Sequence, residues 1–346
     1  PEPFLLLAGQ SLNNGQLIQA MALYDKAIGL IDAYDENPRR KRRFVIRSRT
    51  GRSAVHTRWR DWESAEADIR TWIEADPEDG NALNRLGTVL FMLGKEADGF
   101  KSFESAKKLN EDFPPPYVSA ASLYHQLATA EKEGEAKRAF ASKAKQAFER
   151  AYQNDKDDKT TVIAYGDWLA KTGDLAAAEK VLAAGRQAHP SVFQIFLLSG
   201  VVAQMTNNPD DAKTYFNQTL AIAPGNRDAY NQLALVLINS NDPSDQARAE
   251  QIARMNSQLN PNSGDVNITL TWVLRQMKKG SEANKAYQKG IRLGNLSSDS
   301  SFIVAKLLLE QNRSDAARGL LENALNRGQG IFVNRAEAEA LLETLK

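Results

Sequence analysis

Cysteine is absent from the 346 residues, which excludes disulfides, thiolate nucleophiles and the cysteine-based zinc patterns. That absence fits a reducing cytoplasm and an exported location such as the periplasm equally well. No apolar run approaches the roughly 18 residues that a membrane-spanning helix needs, so no transmembrane segment is expected. Histidine is scarce: His56, His125 and His189 stand far apart with no HExxH pairing, and no metal site is expected. A charge excess is missing as well. The 44 basic and 43 acidic residues leave a net charge of +1, which gives no bulk field for steering a polyanion.

Catalytic signatures are also lacking. There is no GxSxG, and the acidic residues follow helix-face spacing with no catalytic pairing. Gly87 to Gly94-Lys95 has a superficial likeness to a phosphate loop, but its spacing is wrong, Glu96 replaces the required Ser or Thr, and no strand precedes it. The chain therefore reads as non-catalytic and without a cofactor. Asn217, Asn267, Asn295 and Asn312 each begin a glycosylation triplet, which in an Asn-rich chain is read as chance.

What the chain does contain is repetition. Between Gly80 and Phe113, Leu83, Leu86, Gly87 and Leu90 fall at the i, i+3, i+4, i+7 spacing of a helix with one buried stripe. Gly94-Lys95 closes that helix, and a second one carries Gly99, Phe103 and Ala106 on one side. The small residue at Gly87 lets the second helix approach, and Phe103 fills the gap. Such a pair has no core of its own; stacked copies share one.

The same residue types return along the chain. Second helices carry Ala20, Ala65, Ala144, Ala178, Ala212, Ala249, Ala283 and Ala317, and the steps from Ala178 to Ala212 and from Ala283 to Ala317 are each thirty-four residues. Four residues later comes a filler: Tyr24, Ile69, Phe103, Phe148, Leu182, Phe216, Tyr287 or Leu321. First helices place Gly87, Gly166 and Gly200 in one column with Ala8, Ala121, Ala234 and Ala305. Pro77, Pro190, Pro224 and Pro261 stop second helices, because proline lacks the N–H and fixes φ. A period of 34 with two helices per unit is a known repeat signature.

On these residues the chain resembles the tetratricopeptide repeat (TPR) family. Leu86-Gly87 with Leu90, Tyr165-Gly166 with Leu169, Gly173-Asp174 leading to Ala178, and Ala212 with Phe216 and Ala223-Pro224 carry the resemblance. It implies an all-α, right-handed α-solenoid, a superhelix of helix-turn-helix repeats. We expect a single array over 1–346, with repeats at about 1–34, 46–79, 80–113, 114–158, 159–192, 193–226, 227–263, 264–297 and 298–331 and a capping helix at 334–346. Trp72 and Asn256 stand where the family has Ala, and Arg52 where it has an apolar residue, so irregular packing is expected in the second and seventh repeats.

Eleven residues are added before Ile46 and another eleven at 128–138. Eleven residues make three turns at about 3.67 per turn, so either insertion lengthens a helix without rotating its apolar face. The seventh repeat carries three extra residues, read as a loop at Asn241 to Asp245. Asn334 is expected to cap the last helix, whose Ala338, Leu341, Leu342 and Leu345 face one way. The chain begins at Pro1 inside a repeat pattern, so a leader, an anchor or further repeats are expected to precede it.

The strongest local charge runs through Arg39, Arg40, Lys41, Arg42, Arg43, Arg47, Arg49, Arg52, Arg58 and Arg60, with no acidic residue before Asp61. One reading is a solvated face balanced by Asp32, Asp35 and Glu36. The other is a contact for an acidic partner segment or an anionic surface. Nucleic acid is disfavoured, because the overall charge is near zero.

The TPR resemblance implies that first helices line a concave groove. The residues expected there are Leu197, Val201, Gln204 and Met205, then Asn231, Leu235, Ile238 and Asn239, then Ile268, Trp272 and Arg275. An apolar strip with amides suits an extended peptide or an amphipathic helix of a protein partner. Asn84, Thr88, Ser122 and Asp167 offer a more polar wall upstream. The clamp that some family members use for a C-terminal carboxylate is missing, since Ala54, Thr88 and Ser122 stand where its Asn would be needed. The expected function is a non-catalytic protein-interaction scaffold. The resemblance implies bacterial envelope assembly or exopolysaccharide secretion as its setting; the alternative is the substrate-recognition region of a larger enzyme such as a glycosyltransferase.

Overall fold

The computed structural model describes residues 1–131, 133–327 and 330–345. Lys132 in the second insertion, Gly328 and Gln329 in the ninth expected repeat, and Lys346 at the end of the expected cap lie outside the described residues. The described residues form nineteen α-helices and no strand. They divide into two compact units, 1–156 and 157–346.

In the first unit α1 (Glu2–Asn13) pairs with α2 (Leu17–Asp32), α3 (Pro38–Trp59) with α4 (Trp62–Ala75), α5 (Gly80–Met92) with α6 (Glu96–Leu109), and α7 (Pro116–Ala130) with α8 (Glu135–Asn154). In the second, α9 (Lys159–Thr172) pairs with α10 (Leu175–Ala188), and α11 (Phe193–Met205) with α12 (Pro209–Ile222). There α13 (Arg227–Ile238) pairs with α14 (Pro243–Leu259), α15 (Gly264–Gln276) with α16 (Gly280–Leu293), and α17 (Ser298–Leu309) with α18 (Ser314–Asn326), and α19 (Arg335–Glu343) packs on α18. The second helices α2, α4, α6, α10, α12 and α14 also lean on the hairpin that follows them, and in the second unit α9, α11, α13, α15 and α17 touch in succession. Those first helices make a wall.

The sequence columns are the core. Ala8, Ala20, Ala65, Ala121, Ala144, Ala178, Ala212, Ala234, Ala249, Ala305 and Ala317 are fully buried, with the fillers Phe103, Leu182, Phe216 and Leu321 against them. A Cβ added at Gly87 would come within 2.5 Å of the Phe103 ring, and one at Gly200 within 2.4 Å of Phe216. Glycine is what lets these helices close. Helix starts are fixed by side chains that accept a first-turn N–H, among them Asp61, Asp79, Asp158, Asp174, Asn226, Ser263 and Ser297.

Both eleven-residue additions are helical to a large extent: α3 has 22 residues and α8 has 20. The seventh hairpin differs from expectation. Pro243 to Asp245 form the first turn of the 17-residue α14, capped by Asp242, because proline at the first helical position forfeits only an N–H that has no partner there. Asn334 does not cap α19 with its side chain. Its Nδ2 donates to Asp299 Oδ1 at 2.7 Å and its backbone N–H to the same oxygen at 3.0 Å.

The departures from the repeat pattern are satisfied locally. Trp72 is buried, and its indole N–H donates to Asp79 Oδ2 at 3.0 Å. Asn256, fully buried in α14, donates to the Arg227 carbonyl at 3.0 Å and the Asn231 side chain at 3.2 Å. Both hairpins keep their pairing because the Trp72 indole and the Asn256 amide have each found a partner.

Candidate functional site

In the second unit a cavity of about 730 Å³ opens along the wall of first helices. Gln204 of α11 lines it, with Gln232, Leu235 and Val236 of α13 and Trp272 of α15. Phe302, Ile303 and Lys306 of α17 continue the floor. Residues 207–210 and 239–242, where the hairpins turn, form one rim, and Val333 and Asn334, just before α19, with Glu337 of α19 form the far end. Aromatic and aliphatic carbon thus alternates with side-chain amides.

Four of the eleven expected groove residues, Gln204, Leu235, Asn239 and Trp272, meet at this cavity. The others do not. Ile238 and Ile268, at 4% and 0% exposure, are core residues, because a first helix is covered by its own partner on one side and by the neighbouring hairpin on the other. Leu197 and Val201 are half-buried against the core around Leu233 and Leu237. Met205 is half-buried and outside the lining. Asn231 is held by Asn256, and Arg275 is exposed and paired with Glu310 at 2.7 Å.

Sequence reasoning missed Phe302, Ile303, Lys306, Gln232, Val236 and Glu337. One signal could have found Lys306: it stands thirty-four residues after Trp272, in the column of Val201 and Leu235.

The charges at the cavity are unequally satisfied. Lys213 pairs with Asp210 at 2.9 Å and Asp245 at 3.4 Å, which raises its pKa through the Asp210 contact first. Asp242 accepts the Ser244 N–H, and that bond holds its carboxyl below the usual range. Lys306 is different. Its Nζ lies 4.8 Å from the Trp272 ring centroid and 5.2 Å from that of Phe302, and no carboxylate pairs with it among the described residues. The Gln204 Oε1 accepts no hydrogen bond among the described residues.

The far end is fixed by Asp299 in the first turn of α17. It is 9% exposed and accepts from Asn334 twice and from the Val333 N–H at 3.3 Å. Burial pushes its carboxyl above the ordinary value, against those hydrogen bonds, and Asp265 adds to the rise.

The basic run lies on α3 and is largely neutralised. Arg40 and Arg47 both reach Glu2 at 3.0 Å, holding its carboxyl below the usual range. Lys41 pairs with Asp35 at 3.0 Å and Arg42 with Asp76 at 2.9 Å. Arg49 and Arg52 converge on Asp68, which is 1% exposed, at 2.8 and 2.7 Å, and Arg52 also reaches Asp25. Arg39 and Arg43 are exposed and have no carboxylate partner among the described residues. The upstream polar wall is engaged too: Thr88 and Ser122 donate to carbonyls of their own helices, and Asp167 pairs with Lys171 at 2.6 Å. Among the described residues no cluster of His, Asp and Glu has the arrangement of a metal site, and no helix is long and apolar enough to cross a membrane.

No family model matches the chain, and no curated protein matches it in sequence. Similar solved structures include a thermophilic TPR protein of Thermus thermophilus, at 13% identity and TM-score 0.45, covering 54% of this chain and 98% of that one. A tetratricopeptide repeat protein of Parabacteroides merdae is 14% identical with TM-score 0.43, covering 87% of this chain and 98% of that one. YrrB, a TPR protein with an unusual peptide-binding site, is 17% identical with TM-score 0.37, covering 55% of this chain and 97% of that one.

Proposed function

We propose that this chain, an all-α array of tetratricopeptide-type hairpins, is a non-catalytic scaffold that holds an extended segment of a partner protein in the cavity between α11 and α19. The observation that carries this reading is convergence. Side chains from four successive first helices and from α19 meet on one recess, with Leu235, Trp272 and Phe302 for apolar side chains and Gln204, Gln232 and Asn239 for a peptide backbone. An extended peptide offers an N–H and a C=O at every residue, so amides in the wall match it in any sequence, while the apolar floor selects side chains. Gln204 has an acceptor to spare.

A second contact is assigned to α3. Arg39 and Arg43, exposed members of the basic run without a carboxylate partner among the described residues, face an acidic segment or anionic surface there, and salt weakens that contact. The family resemblance supports envelope assembly or exopolysaccharide secretion as the setting. A catalytic domain in the same reading frame would instead favour the substrate-recognition arm of a larger enzyme.

Photocrosslinking tests the groove. A photoreactive residue at Asn239, exposed on the cavity rim, is compared with one at Asn284, exposed on α16 and outside the lining. Crosslinks from position 239 alone to one defined partner segment support the reading; equal labelling from both positions rejects it.

A further inference from the structure

We infer that the cavity selects a segment carrying a single acidic side chain among apolar neighbours, and that this carboxylate seats on Lys306. The inference rests on the proposed peptide-binding function and names its ligand chemistry.

Lys306 extends from α17 over the rings of Trp272 and Phe302, 4.8 and 5.2 Å from their centroids. Aromatic faces hold an ammonium in place but do not discharge it. Two other lysines of this unit have found carboxylates: Lys213, also at the cavity, has Asp210 and Asp245, and Lys279 has Glu250 at 2.6 Å. Lys306 has none among the described residues, although it is partly buried beside Ile303 in an apolar stretch of the wall. A cation fixed in such surroundings and lacking a counter-ion gains most from a ligand carboxylate, because a charge-assisted hydrogen bond out of bulk water is the stronger kind.

The rest of the rim says how many carboxylates are admitted. Asp210, Asp242 and Glu337 all line the cavity, and Glu337 has no cationic partner among the described residues. A run of acidic residues would meet these three. One acid between aliphatic residues meets Lys306 and leaves its neighbours to Leu235, Trp272 and Phe302. The structure therefore points away from acidic tails and toward an isolated Asp or Glu in an apolar segment.

Fluorescence anisotropy with short peptides, acetylated and amidated at their ends, tests this. The probes are a leucine-rich peptide with one central Glu, its Gln counterpart, and a polyglutamate peptide. A fourth, the Gln peptide with a free C-terminal carboxylate, distinguishes a chain terminus from a side chain. The Glu peptide is expected to bind about tenfold more tightly than the Gln peptide, and polyglutamate no better than Gln. Lys306→Gln should abolish the preference, so that the variant binds the Glu and Gln peptides equally, and Lys306→Arg should keep it. Equal binding of the Glu and Gln peptides, or a preference surviving Lys306→Gln, overturns the inference and leaves the groove reading intact. So does a free-terminus peptide that equals the Glu peptide. Failure of all four probes on the folded chain counts against both.

Discussion

The Phe103 ring occupies the space beside Gly87 so fully that a Cβ there would stand 2.5 Å from its Cε1. Gly87→Ala sets two effects against each other. Helix propensity favours Ala by about 1 kcal/mol, whereas overpacking a closed core costs about 1–3 kcal/mol. Phe103 is 1% exposed with the Phe91 ring 5.6 Å away, so it has little room to retreat. Overpacking wins, and chemical denaturation should show a net loss of up to about 2 kcal/mol. Gly319→Ala, in the middle of α18 with nothing within 4 Å of the new Cβ, should instead gain up to about 1 kcal/mol. Equal effects at the two sites would show that helix propensity alone decides.

Removing both cations from Asp68 tests the buried pair on α3 and α4. Arg49→Ala with Arg52→Ala leaves a 1%-exposed carboxylate with only His56 Nε2 beside it, at 3.8 Å, and the expected loss is about 3–5 kcal/mol by denaturant midpoint. Adding Asp68→Asn should recover a large part of it. Arg39→Ala with Arg43→Ala, exposed residues, should stay within about 0.5 kcal/mol of the parent.

Cavity residues differ in how cleanly they report binding. Trp272 packs against two core clusters, so Trp272→Ala should lose about 2–4 kcal/mol of stability as well as partner capture. Asn239 is exposed and lines the rim, so Asn239→Ala should weaken capture with stability unchanged within about 0.5 kcal/mol. Capture that survives Trp272→Ala combined with Leu235→Ala, with helicity retained by circular dichroism, would remove the groove assignment.

Asp299 makes stability depend on pH in a definite direction. Its carboxyl is raised in the folded protein, so between its unfolded and folded pKa values the folded state binds more protons. The cost of the buried charge is therefore relieved below the unfolded value near 3.8, grows as pH rises, and is complete above the folded pKa. Asp299→Asn has no such term. The difference in melting temperature, variant minus parent, should move in the variant's favour from pH 4 upward and then level off. A flat or opposite trend would contradict the raised value.

Much of the fold was legible because a repeat states its packing many times over. Ala178, Ala212 and Ala317 name one buried column between them, and Gly87 with Phe103 names the close contact. The lining of the candidate cavity was legible where it follows the same arithmetic, as at Leu235 and Trp272, and Lys306 was within reach of it. Ile238 and Ile268 were misplaced because helical periodicity finds one buried face, whereas these first helices are buried on nearly every side. The turn residues and Glu337 were invisible, since they occupy no column. On α3 the neutralising acids Glu2, Asp68 and Asp76 are distant in sequence, so a local count of charge overstated the exposed positive surface.

The segment that closes the last hairpin also furnishes Val333, Asn334 and Glu337 to the recess. Sealing the stack and shaping the receptor are one task at this end. Grafting another hairpin onto α18 would evict α19 and turn the enclosed basin into an open trough, so elongation and ligand choice compete for the same surface.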